Sequence, residues 1–363
     1  MSHKEPNNHT LVAVYSFGLI VTLSGVYFVY AHFNPNRVTY TKEQFAQKVS
    51  EIAKTPARKP LDTNLYDAKM LELANHAPVA TSTGTTTPKT YKWPVKSVYP
   101  GDGALLPFNR IVAYYGNFYS TKMGILGEYP ADEMLSRLRK EVRAWEDADP
   151  GVPVIPAIHY IVTVAQGTAG ADGDWTSRMP DAEVDKAIAL GKEVDGIVFL
   201  DVQAGQSTIE REVAAIMPYL KLPQVHLGLD PEFAMKGGRK PGEYIGSLDA
   251  TEINNVIDML SKAVQENDLP PKVLVIHRFT EKMVTNYQLI KPTKEVQVVM
   301  TMDGWGTPEL KSGIYRQVVA SEPVQFTGIK IFYKNDLKSP STRILTPQDI
   351  LTWRPRPSYV QYQ

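Results

Sequence analysis

The chain has 363 residues, and its 39 basic residues balance its 39 acidic ones. A formal net charge of zero gives no indication of a nucleic-acid-binding protein, and a hydrophobic content of 43% is enough for a sizeable core. The absence of cysteine excludes a disulfide scaffold, a thiol nucleophile, thiolate metal ligands and a lipid-modified cysteine.

The first predicted element is the apolar segment TLVAVYSFGLIVTLSGVYFVYAHF, residues 10–33. It contains no Asp, Glu, Lys or Arg, and a helix needs roughly 20 apolar residues to cross a bilayer core. Its end is bulky and aromatic, unlike the small residues of a signal-peptidase site. We predict a short cytoplasmic head at 1–9 and an uncleaved single-pass signal anchor at 10–33, which places the remainder outside the cytoplasmic membrane. A cleaved signal peptide and a buried soluble helix are the alternatives.

Residues 34–95 have the composition of a stalk or linker. Two amphipathic helical patterns, 41–54 and 64–76, are separated by prolines, and a threonine-rich tract follows at 81–90. The tract cannot form a core and predicts a spacer. The two helices either pack on the main domain or extend the spacer.

Beyond the linker, apolar strand patterns alternate with amphipathic helical patterns. The predicted strands are residues 110–117, 152–162, 195–203, 224–232, 272–279, 295–304, 327–336 and 358–363. Eight strands that alternate with helices predict a (β/α)8 TIM-type barrel over residues 96–363. An open doubly wound sheet is the alternative, but no Gly-x-Gly-x-x-Gly turn follows the first strand and no P-loop motif occurs.

Polar and aromatic residues follow most of the predicted strands, at the end where such barrels carry their sites. The candidate site residues are Tyr115, His159, Asp201, Gln203, Asp230, Glu232, His277, Asp303, Trp305 and Tyr333. Carboxylates that crowd one rim repel each other, and this raises the pKa of at least one of them, as a general acid at neutral pH requires.

Several of these candidates also have a purely structural interpretation. Asp230 before Pro231 suits an Asx turn, and Asp303 before a glycine suits another common turn. Asp201 is placed to cap the next helix, although it lies early for that role. His277 is equally a core histidine, and Trp305 is equally lid packing.

The stretch HLGLDPEF, residues 226–233, holds the two acids that are closest in sequence. Residues two apart point to the same face of a strand, so Asp230 and Glu232 are expected to project together. We predict that Glu232 donates a proton while Asp230 stays charged beside it.

The predicted barrel resembles glycoside hydrolases, and GLDPE is similar to the fourth-strand motifs of two families. Family-18 chitinases end that strand in Asp-x-x-Asp-x-Asp-x-Glu, which Asp230 and Glu232 match, although Val225 and Gly228 stand at the two earlier aspartates. Family-25 lysozymes carry Asp-x-Glu there, but they use an acid after the first strand where this chain has Asn117. The chain also resembles uncharacterised membrane-anchored bacterial surface proteins in the blocks FLDVQAGQS, LGLDPEF, VIHRFT and MDGWG.

These resemblances imply a membrane-anchored glycosidase that acts on a cell-envelope or extracellular glycan without a cofactor or metal. The remaining candidate residues would then tune the acid pair or hold the sugar. One alternative is a non-catalytic glycan-binding or envelope scaffold protein, which the missing first-strand acid favours. Another is a metal-dependent hydrolase that uses the histidines and aspartates of the rim, although no His-x-His or His-Glu-x-x-His spacing occurs.

Overall fold

The computed structural model describes residues 58–76 and 91–363, and within them eight parallel strands close into a barrel. The strands are β1 Arg110–Gly116, β2 Val154–Ala165, β3 Ile197–Val202, β4 Val225–Leu229, β5 Lys272–Arg278, β6 Val296–Met302, β7 Phe326–Ile331 and β8 Tyr359–Tyr362. Each strand pairs with the next in chain order, and β8 pairs with β1 to close the ring. The predicted barrel is confirmed, and the open sheet is excluded.

Helices surround the barrel and connect its strands. They are α1 Thr63–Ala74, α2 Ala131–Ala148, α3 Asp181–Glu193, α4 Ile209–Leu220, α5 Ala250–Glu266, α6 Pro308–Ile314 and α7 Pro347–Leu351. A π-helical stretch, Tyr315–Ala320, continues α6. The short strand Thr176–Arg178 pairs antiparallel with the end of β2, and Leu248–Asp249 pairs with Val284–Thr285.

The strand alternation divides the buried side chains into an inner and an outer set. Along β1, Ile111 and Ala113 belong to the cluster inside the barrel, whereas Val112 and Tyr114 pack between strands and helices. The inner apolar set also includes Ala157, Ile197, Phe199, Val273, Val275, Val299, Phe326 and Tyr359. These residues form an apolar floor, and the inward positions that follow them along the strands hold polar groups at the carboxyl end.

Helix α1 packs against the amino end of the barrel. Tyr66 and Met70 are buried in the inner cluster, and the backbone N–H of Arg356 donates to Leu73 O at 2.7 Å. The side-chain amide of Asn75 donates to Trp353 O at 2.8 Å. Of the two roles left open for this predicted helix, packing on the main domain is the one observed.

The predicted anchor, the first stalk helix and the threonine tract lie outside the described residues. In residues 58–76 and 91–363, none of the helices combines the length and the apolar character that crossing a membrane requires.

Candidate active site at the carboxyl end of the barrel

A fully buried carboxylate, that of Asp201 on β3, is the hub of the polar layer above the floor. Its Oδ2 accepts a hydrogen bond from Tyr115 Oη at 3.0 Å. Its Oδ1 lies 3.1 Å from His159 Nε2 and 3.3 Å from His277 Nε2. Four of the candidates found in the sequence thus come together from inward positions of β1, β2, β3 and β5. The interpretation of Asp201 as a helix cap is wrong, because its side chain belongs to this cluster.

The hydrogen bonds around His159 determine which ring nitrogen carries its proton. Tyr359 Oη accepts from Gln361 Nε2 at 2.9 Å, so its own hydrogen points to His159 Nδ1 at 2.6 Å. Nδ1 is therefore an acceptor, and Nε2–H donates to Asp201. Burial lowers the pKa of His159 to about 4, so the ring is neutral at pH 7.

His277 carries a positive charge between two carboxylates. Burial alone would lower the pKa of His277, but the charges of Asp201 and Asp303 outweigh it and raise that pKa to about 10. Its Nδ1 lies 3.1 Å from Asp303 Oδ2. Neither ring nitrogen has well-directed hydrogen-bond geometry within the described residues, so these contacts are ion pairs. His277 is thus a bridging cation rather than a neutral core histidine.

Lys330 on β7 supplies the second cation of the layer. Its Nζ lies 3.1 Å from Asp303 Oδ2 and 3.7 Å from the ring centroid of Tyr115. Burial would raise the pKa of Asp303, but Lys330 and His277 hold it at about 2. His277, with hydrogen bonds, likewise lowers the pKa of Asp201 against the effect of burial. Two cations therefore balance two carboxylates.

The remaining acids lie just past β4, which ends at Leu229. Asp230 begins the 3-10 turn Pro231–Phe233, and its Oδ1 accepts from the Glu232 backbone N–H at 3.2 Å. Gln203 Nε2 donates to Asp230 Oδ2 at 3.3 Å. The prediction that Glu232 shares a strand face with Asp230 is wrong because Glu232 belongs to the turn. The Asx-type interpretation of Asp230 is confirmed, and it coexists with a place in the cluster.

Both acids of this turn are buried, with exposed fractions of 4% for Asp230 and 7% for Glu232. Burial raises the pKa of Asp230 to about 7, because His277 offsets only part of the effect. Burial and the neighbouring charge of Asp230 raise the pKa of Glu232 well above its usual value. Within the described residues no hydrogen bond reaches the Glu232 carboxylate. Both carboxyl groups therefore keep their protons to higher pH than an exposed acid does, as a proton donor at neutral pH requires.

Gly228 makes room for the hub. A Cβ on Gly228 would lie 2.5 Å from His159 Nε2 and closer still to Asp201 Oδ1. Real Cβ atoms essentially never approach that closely. Glycine is thus required where β4 passes the His159–Asp201 contact.

The variant Gly228→Ala is expected to destabilise the protein and to disturb the hub. Overpacking of a dense core costs about 1–3 kcal/mol, and each kcal/mol lowers the Tm of a domain of this size by about 2–4 °C. Gly313→Ala is the matched control, because its Cβ would meet nothing within 4 Å and alanine favours the helix. Melting curves check this, and an unchanged Tm for Gly228→Ala would contradict it.

Two predicted site residues do not join the hub. Tyr333 Oη donates to Glu141 Oε1 on α2 at 2.7 Å and lies 3.1 Å from Tyr114 Oη, so it faces the helix layer. Trp305 lies in the loop after β6, where Lys338 Nζ is 4.9 Å from its ring centroid. Its role as a sugar platform remains a prediction.

Three network members were not among the candidates from sequence: Lys330, Tyr359 and Gln361. The alternation of residues along β7 could have predicted that Lys330 points into the barrel, since Phe326, Gly328 and Lys330 share the inward face of this strand. Lys330 was missed because it lies inside the predicted strand 327–336, and candidates were taken from strand ends. Tyr359 and Gln361 were missed because they lie before the end of the predicted strand 358–363, and candidates were taken from strand ends.

Comparisons with known proteins add little beyond the barrel. No family model matches the chain, and no curated protein matches it. One similar solved structure is described as "Cellulase Cel5C_n"; it has a TM-score of 0.34 and 10% sequence identity over 61% of this chain. The match covers 65% of the cellulase, less than two-thirds of its length. The activity of this chain therefore has to be inferred from its own residues.

Proposed function

We propose that this protein is an extracytoplasmic, membrane-anchored glycoside hydrolase in which the Asp230–Glu232 pair supplies general acid catalysis. One observation carries the proposal: two carboxyl groups of one turn are buried at the carboxyl end of a barrel and have raised pKa values. A glycosidic oxygen is a poor leaving group until it is protonated, and a carboxylic acid that keeps its proton at neutral pH can protonate it.

Glu232 is the proton donor in this proposal. Its proton moves to the glycosidic oxygen as the bond from the anomeric carbon to that oxygen breaks, and the bonding electrons stay on the leaving oxygen. Asp230, oriented by Gln203, acts in its ionised form and stabilises the developing positive charge of the sugar ring. Water then adds to the anomeric carbon and gives up a proton to the Glu232 carboxylate, which completes hydrolysis and restores the acid.

The balanced layer beneath the pair controls its charge. His277 and Lys330 offset the charges of Asp201 and Asp303, so the hub has no net charge beneath the pair. A net negative hub would hold the proton too tightly for transfer, and a net positive one would release it too early. The mixed cluster therefore favours a donor that works near neutral pH.

The test is turnover by the wild-type protein on peptidoglycan fragments, chitin oligomers and aryl glycosides. Hydrolysis of any of these supports the proposal. Binding without hydrolysis would instead support the non-catalytic glycan-binding alternative.

Metal-dependent hydrolysis is the second candidate function. His159, Asp201 and His277 each offer a ligand atom within 4.8 Å of the others, a donor set that suits a divalent transition metal. Metal binding would have to displace a proton from His159 and from charged His277. Metal analysis of purified protein, with turnover before and after chelation, decides between the two candidates.

The anchor and the location of the barrel are proposed from the apolar segment at residues 10–33. Protease added to intact spheroplasts is expected to remove the barrel domain, because the short head at 1–9 cannot carry it. Digestion that requires prior lysis would reverse the proposed orientation. An internal cytoplasmic protein, followed in parallel, is the control for spheroplast integrity.

A further inference from the structure

The loop that follows the Glu232 turn concentrates positive charge beside the proposed acid. Residues 235–246, here named the cationic arm, contain three basic residues and one acidic residue in a chain of zero net charge. Both ends of the arm are fixed near the turn. Gly246 N–H donates to Glu232 O at 2.6 Å, and Ser247 N–H donates to Ala234 O at 3.1 Å. The ends of the arm are thus held next to the turn that carries the carboxyl pair.

Two cations of the arm are positioned by aromatic rings. The guanidinium of Arg239 lies 4.8 Å from the ring centroid of Tyr244, which is 50% exposed. Lys240 Nζ lies 5.5 Å from the ring of Trp175, in the loop after β2. A ring attracts a cation without cancelling its charge, so these groups remain available to an anion.

Other cations in this part of the protein are neutralised by carboxylates, unlike Arg239 and Lys240. Arg178 contacts three carboxylates, which leaves it no charge to offer a ligand. Lys236, the third cation of the arm, pairs with Glu252. Lys240 has only a loose contact of 3.8 Å to Glu243. Arg239 and Lys240 are therefore the two available charges of the arm.

A second pair of a tryptophan ring and a lysine lies on the opposite side of the barrel mouth. Trp305 follows β6 and has Lys338 over its ring, whereas Trp175 follows β2, four strands away around the ring. A chain of sugars across the mouth would meet an aromatic ring with an attendant cation on both sides. Aromatic faces stack on sugar rings, and cations bind the carboxylates of acidic sugars.

We infer that the cationic arm selects glycans that bear carboxylate groups, an inference that rests on the proposed function and names its substrate class. Arg239 and Lys240 bind the carboxylates, and Trp175 and Tyr244 contact the sugar faces. A neutral glycan of the same shape lacks the charge contacts and binds less tightly.

The test uses the full-length chain with Glu232→Gln, so that no probe is consumed, titrated with tetragalacturonate and with its methyl ester. The acid is expected to bind about tenfold more tightly than the neutral ester, the equivalent of one charge-assisted contact. Salt is expected to reduce this preference, because the arm is exposed. Arg239→Ala with Lys240→Ala should weaken binding of the acid about tenfold and leave the ester unchanged.

Lys262→Ala is the matched control, since this exposed lysine on α5 has a similar loose contact of 3.7 Å, to Glu266. It should bind both probes as the parent does. Equal binding of acid and ester, no binding of the acid, or an unaffected double variant would each overturn the inference. So would sedimentation with phosphatidylglycerol vesicles that depends on Arg239 and Lys240 without discrimination between the oligosaccharides, because the arm would then contact membrane.

The two proposals fail separately. If the protein prefers tetragalacturonate to its ester but the wild type hydrolyses no glycan, the hydrolase proposal is wrong and the proposed selectivity of the cationic arm stands. If the wild type hydrolyses glycans but the protein binds acid and ester equally, the selectivity of the arm is wrong and the hydrolase proposal stands.

Discussion

Replacing Glu232 with glutamine is expected to reduce glycan hydrolysis by ~100- to 10,000-fold, the usual contribution of general acid catalysis. Glutamine has nearly the same shape but no proton to give at neutral pH. Asp230→Asn is expected to reduce turnover as well, through loss of the charge beside the donor. Rates on the best substrate of the wild-type protein measure both effects. In the wild type, activity should fall as pH rises through the raised pKa of Glu232, because the donor then loses its proton.

The melting temperature separates this effect from misfolding. The folded state raises the pKa of Glu232, so ionisation of this carboxyl costs stability. Because the pKa of Glu232 is higher in the folded than in the unfolded chain, ionisation lowers the stability of the folded state. This cost is absent below the pKa of the unfolded chain, about 4.3, and grows as pH rises above it. Glu232→Gln removes the cost, so its Tm should equal the wild-type value in acid and match or exceed it at neutral pH.

Glu266→Gln is the matched control for Glu232→Gln, because this glutamate is exposed near the end of α5. It should change neither rate nor Tm. If Glu232→Gln keeps the wild-type rate, the carboxyl pair does not act as the acid.

Deletion of residues 359–363 is expected to prevent stable folding. These residues contain β8, which pairs with β1 on one side and β7 on the other. Tyr359 and Tyr362 are buried, and loss of one large buried aromatic side chain alone costs about 3–5 kcal/mol. Opening the barrel also exposes two unpaired strand edges, which promotes aggregation.

The deletion is compared with Gln363→Ala, which keeps the backbone hydrogen bonds that join Gln363 to Ile331 and Tyr333. The point variant should melt close to the wild type. The shortened chain should be insoluble or melt far lower, as soluble yield and calorimetry will show. A shortened chain that melts as the wild type does would mean that β8 is not needed to close the barrel.

The barrel was predictable because the physical signals of its strands are local. Parallel strands buried on both faces read as apolar runs such as KVLVIHR, and a polar residue at the end of each run indicates the site end. Asp201, His159 and His277 were found in this way.

Other features depend on detail that a run of apolar residues does not contain. β4 stops at Leu229, so Glu232 reaches the cluster through a turn and not along a strand face. Tyr333 was selected for its place near a strand end, yet it lies past the end of β7 and its hydroxyl bonds to Glu141 on α2. Lys330 was overlooked because its buried carboxylate partner comes from another strand, and that pairing exists only after folding.

The contact between Tyr359 and His159 has a consequence for the order in which the molecule is made. The first strand needs a partner that is synthesised roughly 250 residues later, and the hub histidine receives its orienting hydrogen bond from that same late strand. A nascent chain therefore carries an open edge on β1 and an unoriented His159 until residue 359 has left the ribosome. Contacts this distant in sequence slow folding and lengthen exposure to aggregation. Closure of the ring and orientation of the hub histidine thus become one event, and a chain that stops before residue 359 achieves neither.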